Sequence, residues 1–326
     1  MTSVPALYGP VAEDLARVEE TLTSVATADY APLTEMLQHV LQRGGKRLRP
    51  AIALLAGGFG TYDSDRQVPL AASIELLHTA TLVHDDVIDT ADTRRGRPTA
   101  NSNYDNAASV MLGDYMFAHA AELVARTDDI RVVRLFAETL MVMAKGELSQ
   151  DISAYDMAAG NLRDYYERID GKTASLFATA GTGGAMLAQA DERVVCALRS
   201  YGHSVGMAFQ IVDDILDFTS DAETLGKPVG GDLLAGTLTL PAILLMEANP
   251  KDNPVRRLFV TEDPDSRAQQ LQAVLQAIAD ADILGRSNAI ALEWRDAALR
   301  ALEPLPNGSH RRALEDIAAF ITGRSF

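Results

Sequence analysis

Along most of this chain apolar residues return at the three- and four-residue spacing of a helix, and β-branched alternation is scarce. Residues 11–25 read as an acidic amphipathic helix. Residues 70–90 form a long, mostly apolar run without glycine or proline. Segments 105–126, 129–155, 161–190, 192–219 and 237–248 read the same way, with alanine and leucine dominant. Breaks are expected where breakers cluster: at Gly44-Gly45, Gly57-Gly58, Arg95–Pro98, Gly171 and the Gly226–Gly236 loop. Helices that are apolar nearly all round belong at the centre of a bundle. No linker, repeat or low-complexity tract interrupts the pattern, so residues 1–326 are expected to form one large all-α domain. Residues 251–287 read as more exposed helices and loops and say least.

Composition narrows the function classes. The 45 acidic residues against 29 basic ones give a net charge of −16, so no overall nucleic-acid footprint is present. Such an excess either keeps a protein in solution or concentrates carboxylates on metal ions, and position decides between the two. Cys196 is the only cysteine, which rules out an intrachain disulfide and fits a reducing, cytoplasmic compartment. The first residues lack a basic region followed by an apolar run, so no signal peptide is expected. The longest uncharged stretch, Thr173 to Ala190, approaches membrane-spanning length. It is rich in Ala, Gly and Thr, which reads as a buried helix with close neighbours rather than a transmembrane segment.

Position does single out carboxylates. Asp85, Asp86 and Asp89 form a DDxxD group at the end of the first apolar run. Asp85 and Asp89 are four residues apart, so they share one helix face. Like charges at that spacing repel, and acids at a helix C-terminus also oppose the macrodipole, so something must compensate. A hard divalent cation such as magnesium, completed by water and substrate phosphate, does so. Asp213, Asp214 and Asp217 repeat the pattern in FQIVDDILDFTSD. Two such groups on two apolar helices point to metal–diphosphate binding. The matching cations are Lys46, Arg47 and Arg49 in GGKRLRP, Arg94, Arg95 and Arg97 in RRGRP, and Lys172 and Lys227 after glycines. Gly171-Lys172-Thr173 is not a P-loop, because Tyr166 stands where that motif needs glycine.

In order, GGKRLRP, ELLHTATLVHDDVIDTADTRRGRPTAN, GKT, FQIVDDILD and GKPVGGDLLAGTLTLP resemble the trans-isoprenyl diphosphate synthases, the polyprenyl synthetase family. The likeness runs from Gly44 to Pro241, with the arginine region near Arg324. It implies an antiparallel helical bundle around a deep central cavity, a homodimer, and transient membrane-surface contact for product release. It implies a magnesium-dependent enzyme that condenses isopentenyl diphosphate with an allylic diphosphate into an all-trans polyprenyl diphosphate. Carried over by position, Lys46, Arg49, His78 and Arg95 bind isopentenyl diphosphate. Asp85, Asp89 and Asp213 are the main metal ligands, with Asp86, Asp214 and Asp217 assisting through water or hydrogen bonds. Arg94, Lys172 and Lys227 hold the allylic diphosphate, and Thr173 and Gln210 lie along the reacting carbons. Thr237 departs from the pattern, since relatives often carry lysine there.

Chain length is read beside the first aspartates. Ala80 and Thr81 lie about one turn before Asp85, where short-chain relatives often carry a blocking aromatic. Both are small, so the product is expected to exceed geranylgeranyl diphosphate. A shorter product remains open if Met111, Tyr115 or Phe117 closes the tunnel below. His119, His203 and Trp294 read as structural and Cys196 as packing. Two other classes stay in view: a terpene cyclase, whose second metal motif normally mixes Asn, Ser and Glu, and a non-catalytic synthase subunit, which typically loses aspartates from these motifs. All six aspartates are kept here.

Overall fold

The computed structural model describes residues 7–41, 45–94, 96–219 and 229–323. Gly44, Arg95, Gly226, Lys227 and Arg324, named above, lie outside the described residues. Nearly everything described is helical, and its only strands are the two-residue pair Thr93–Arg94 and Arg97–Pro98, joined antiparallel. The chain falls into two compact units that interleave along the sequence. One holds Met1–Leu140, Leu176–His203 and Ala298–Ala319; the other holds Met141–Ser175, Ser204–Ala297 and Phe320–Phe326.

In the first unit the helix Ser64–Ile88 is the spine. It begins earlier than the apolar run because the Asp63 side chain caps it, accepting from the Asp65 amide. It therefore runs through Pro69, which the sequence reading placed outside the helix. Along its middle, residues 70–77 are buried without a break, too wide a face for a surface helix. Its neighbours include Asn106–Ala125, Leu48–Gly57 and Ala12–Val25. Helix Ser175–Leu187 reaches it through small residues: the Gln67 amide donates to the Gly184 carbonyl at 2.8 Å. A Cβ at Gly184 would press into the Ala53 carbonyl, so only glycine allows that approach.

The second unit packs one apolar core from Ile211, Val212 and Ile215 on Glu192–Thr219, Leu240 to Leu245 on Leu240–Ala248, and Val274 and Ile278 on Pro264–Asp280. Residues 251–287, expected as more exposed helices and loops, do hold helices, Pro254–Val260 and Pro264–Asp280, but the region buries Val255, Leu258 and Ile283 in this core. Gly171 does not break its helix either. Leu162–Ile169 passes into Ser175–Leu187 through a π turn at Asp170–Ala174. Gly146 explains why glycine is useful there, since a Cβ on it would lie 2.9 Å from the Lys172 amide nitrogen.

These close approaches make a measurable contrast. Gly184→Ala is expected to lower the thermal midpoint by roughly 2–8 °C, the range for ~1–3 kcal/mol of overpacking in a protein this large. Gly308→Ala, where an added Cβ meets nothing within 4 Å, is expected to leave it unchanged. Equal midpoints for the two variants would contradict this packing.

Candidate active site

The first acidic group sits where the Ser64–Ile88 helix stops. Asp89 is its C-cap, and Thr90 takes a left-handed φ of 48°. The Ala91 amide then reaches the Asp86 carbonyl at 3.0 Å and the Thr90 amide reaches Val87 at 3.3 Å. This paired closure satisfies the Asp86 and Val87 carbonyls at the end of the helix. They divide by burial. Asp85 is half-buried and Asp89 exposed, whereas Asp86 is 2% exposed. Arg94, carried on the strand Thr93–Arg94, donates through Nε to Asp86 Oδ1 at 2.5 Å. The sequence reading placed Arg94 on a diphosphate; in the structure its guanidinium also neutralises the inner aspartate.

Upstream on the same helix lie His78, half-buried, Ala80, fully buried, and Thr81, half-buried, whose hydroxyl donates to the His78 carbonyl. Of the residues weighed as tunnel stops, Met111 is 69% exposed, Tyr115 stacks with His119, and Phe117 packs edge-on against His84.

The basic GGKRLRP segment is fixed by its middle residue. Arg47 caps the Leu48–Gly57 helix in a left-handed conformation, φ 48°. That geometry is unfavourable for a side-chain-bearing residue by ~1–2 kcal/mol. Ion pairs hold it there. Arg47 Nη1 donates to Glu75 at 2.6 Å, and Nε and Nη2 donate to Glu19 at 2.5 and 3.0 Å. Burial opposes the charge on Arg47, yet the bonds to both glutamates outweigh it and raise its pKa. Glu75 is itself buried, three residues before His78. On either side of this anchor Lys46 is exposed, while Arg49 is half-buried with its guanidinium 4.2 Å from the Phe177 ring centre. Sequence reasoning grouped Arg47 with the diphosphate cations and passed over Glu75, although a lone acid inside an apolar helix was a visible signal.

The second acidic group lies near the end of Glu192–Thr219. Asp213 is half-buried, and Asp214 and Asp217 are both 2% exposed. Asp214 receives a donor on each oxygen: Tyr165 Oη at 2.7 Å on Oδ2 and Gln210 Nε2 at 2.9 Å on Oδ1. Burial first, then the charge of Asp232, pushes its pKa up to about 7, against the pull of Tyr165, Gln210 and Arg168. Asp217 Oδ2 accepts from the Asp232 amide, and its carbonyl accepts from Gly230, which fixes the returning chain with Gly230 at φ 73°. Thr173 Oγ1 donates to Gln210 Oε1 at 2.7 Å. Lys172 Nζ pairs with Glu147 at 2.8 Å, a partner the sequence reading did not single out. Thr237, at the position where lysine was expected, donates its amide to the Asp232 carbonyl.

The structure thus gathers Asp85, Asp86, Asp89 and Arg94 in one unit, and Lys172, Thr173, Gln210, Asp213, Asp214 and Asp217 in the other. Among the described residues no cluster of three or more His, Cys, Asp or Glu side chains forms a ready-made metal cage.

Comparison with known proteins gives the family. The model of the family described as Polyprenyl synthetase matches residues 31–278. The chain is 42% identical to "Heptaprenyl diphosphate synthase component 2" of Geobacillus stearothermophilus, covering 98% of this chain and 99% of the relative. It resembles the crystal structure of heptaprenyl diphosphate synthase from Staphylococcus aureus with a TM-score of 0.90 at 34% identity, covering 95% and 97% of the two chains. It resembles equally a polyprenyl synthase from Caulobacter crescentus CB15 complexed with calcium and isoprenyl diphosphate, with a TM-score of 0.91 at 34% identity over 99% and 98%. The match extends along the chain well past the acidic motifs that first pointed to it, and on that breadth this chain is a prenyltransferase belonging to the polyprenyl synthetase family.

Proposed function

We propose that this enzyme catalyses the magnesium-dependent 1'–4 condensation of isopentenyl diphosphate with an allylic diphosphate, building an all-trans chain longer than geranylgeranyl. The observation that carries this reading is the division within each DDxxD group. Asp86 and Asp214 are buried and hydrogen-bonded inside the protein, whereas Asp85 and Asp213 are half-buried and Asp89 is exposed. These three would hold magnesium, with buried Asp86, Asp214 and Asp217 supporting them through hydrogen bonds or water. Bound there, the metal supplies charge stabilisation for the departing diphosphate.

The chain's own groups account for the rest. Arg94, Lys172 and Lys227 bind the allylic diphosphate, and Lys46, Arg49, His78 and Arg95 bind isopentenyl diphosphate. Glu147 and Asp86 hold Lys172 and Arg94 before a substrate arrives. Thr173 and Gln210 present fixed dipoles along the reacting carbons as the allylic C–O bond ionises and the isopentenyl double bond attacks. The proton lost from the new chain passes to the departing diphosphate. Exclusion of water protects the cation, for which one catalytic domain enclosing a dry cavity is required.

Small residues at 80 and 81 support a long product, as do the heptaprenyl names of two relatives. An exposed face of Asn106–Ala125, with Val110 and Met111 beside several alanines, supports a homodimer. The word "component" in one relative's name favours a second reading, in which this chain is the catalytic part of a two-chain synthase. No helix among the described residues is long and apolar enough to cross a membrane. With the lone Cys196, this supports a cytoplasmic enzyme that meets a membrane surface only to release product.

Incubating the purified chain alone with magnesium, labelled isopentenyl diphosphate and a set of allylic primers tests the reaction. Elongation beyond twenty carbons is expected. Activity only after a second protein is added would favour the two-component enzyme, and cyclic hydrocarbon formed without isopentenyl diphosphate would overturn prenyl transfer. Asp85→Asn and Asp213→Asn should each lower kcat/KM by ~10²–10³-fold; near-normal rates in either would remove that carboxylate from the metal set. Ala80→Phe or Thr81→Phe should shorten the product, and active variants with unchanged product length would refute the tunnel placement.

A further inference from the structure

Tyr165 is fully buried on the short helix Leu162–Ile169 and carries its hydroxyl into the second acidic group. A phenol beside a carboxylate oxygen donates its proton to it in a hydrogen bond. The bond it gives is one end of an ordered series. Tyr165 Oη donates to Asp214 Oδ2 at 2.7 Å, Gln210 Nε2 donates to Asp214 Oδ1 at 2.9 Å, and Thr173 Oγ1 donates to Gln210 Oε1 at 2.7 Å. The direction of each link follows from the one before it. With Asp214 as the carboxylate, Gln210 turns its NH2 toward it. Its carbonyl then faces Thr173, whose hydroxyl proton is committed to that carbonyl. What remains available on Thr173 is oxygen lone pairs, the polarity that a developing carbocation favours.

The helix carrying Tyr165 is braced for this role. Arg168, one turn on, is buried, donates to the Leu238 carbonyl at 2.5 Å and lies 5.6 Å from the Tyr165 ring centre. The π turn at Asp170–Ala174 follows, and it delivers Thr173 to Gln210 while Tyr165 stays on Asp214. A ring packed in the core therefore holds one end of a polar series whose other end is at the reacting carbons.

We propose that Tyr165 is a positioning residue for prenyl transfer, which acts by holding Asp214 so that Gln210 and Thr173 keep one fixed orientation. This rests on the functional reading above, in which Thr173 and Gln210 line the reacting carbons. It differs from a packing role because its effect must pass through Gln210.

A double-mutant cycle on the full-length enzyme tests it. Tyr165→Phe keeps the ring and removes one hydroxyl. It is expected to lower kcat by ~10-fold or more while both substrate KM values stay within ~3-fold and the thermal midpoint moves by only a few degrees. In a Gln210→Ala background the same substitution should cost less than ~2-fold, because the element it positions is already gone. Full kcat in Tyr165→Phe, a loss confined to KM, or equal losses in the two backgrounds would each overturn the proposal. If Tyr165→Phe does not fold, Asp214→Asn takes its place in the cycle. Asparagine must present a donor at one of the two positions, so it too should interact non-additively with Gln210→Ala, and additivity would again refute the idea. A wild-type chain without prenyl transfer would remove the functional reading and this inference with it. An active wild type with additive losses would remove only the inference.

Discussion

Carboxylates one helical turn apart in a partly buried setting repel one another, and the structure of this protein answers that repulsion twice in the same way. In each DDxxD group the middle aspartate is buried and hydrogen-bonded by protein donors. Arg94 serves Asp86, and Tyr165 and Gln210 serve Asp214. Asp85 and Asp213 are half-buried. A buried acid without such partners would take up a proton rather than remain a ligand. The internal pairing is thus the condition for two acidic motifs to coexist with an apolar core.

The same logic runs through the basic side chains. Lys172 rests on Glu147, and Arg47 is clamped between Glu19 and Glu75 in a backbone conformation that its side chain alone would not favour. A partly buried cation is stabilised by an acidic partner that offsets its desolvation. The net charge of −16 is therefore partly a set of counter-ions with assigned places, beyond whatever it does for solubility.

What could be read from the sequence was local. The helices Asn106–Ala125, Ile130–Ile152 and Glu192–Thr219 follow the apolar period within a few residues. Both aspartate groups were visible because their geometry is set by spacing within one helix. Errors came where a local signal was overruled by its surroundings. Pro69 did not delay a helix already capped at Asp63, and Gly171 widened a helix into a π turn instead of ending it. The partners of the site residues were the least legible. Tyr165 meets Asp214 across 49 positions of chain, and Arg47 meets Glu75 across 28. Nothing in the composition of either segment names the other, because those pairings are created only by packing.

On the proposed function, the acidic groups around Asp85 and Asp213 are each needed for magnesium-dependent binding of diphosphate. Calorimetric titration with a non-ionisable allylic diphosphate analogue, with magnesium and with a chelator, addresses it directly in the wild type, Asp85→Asn and Asp213→Asn. Tight binding is expected only for the wild type with magnesium, and each single substitution should weaken it by a similar factor. Binding that survives the chelator, or that loses affinity at only one of the two positions, would contradict the account.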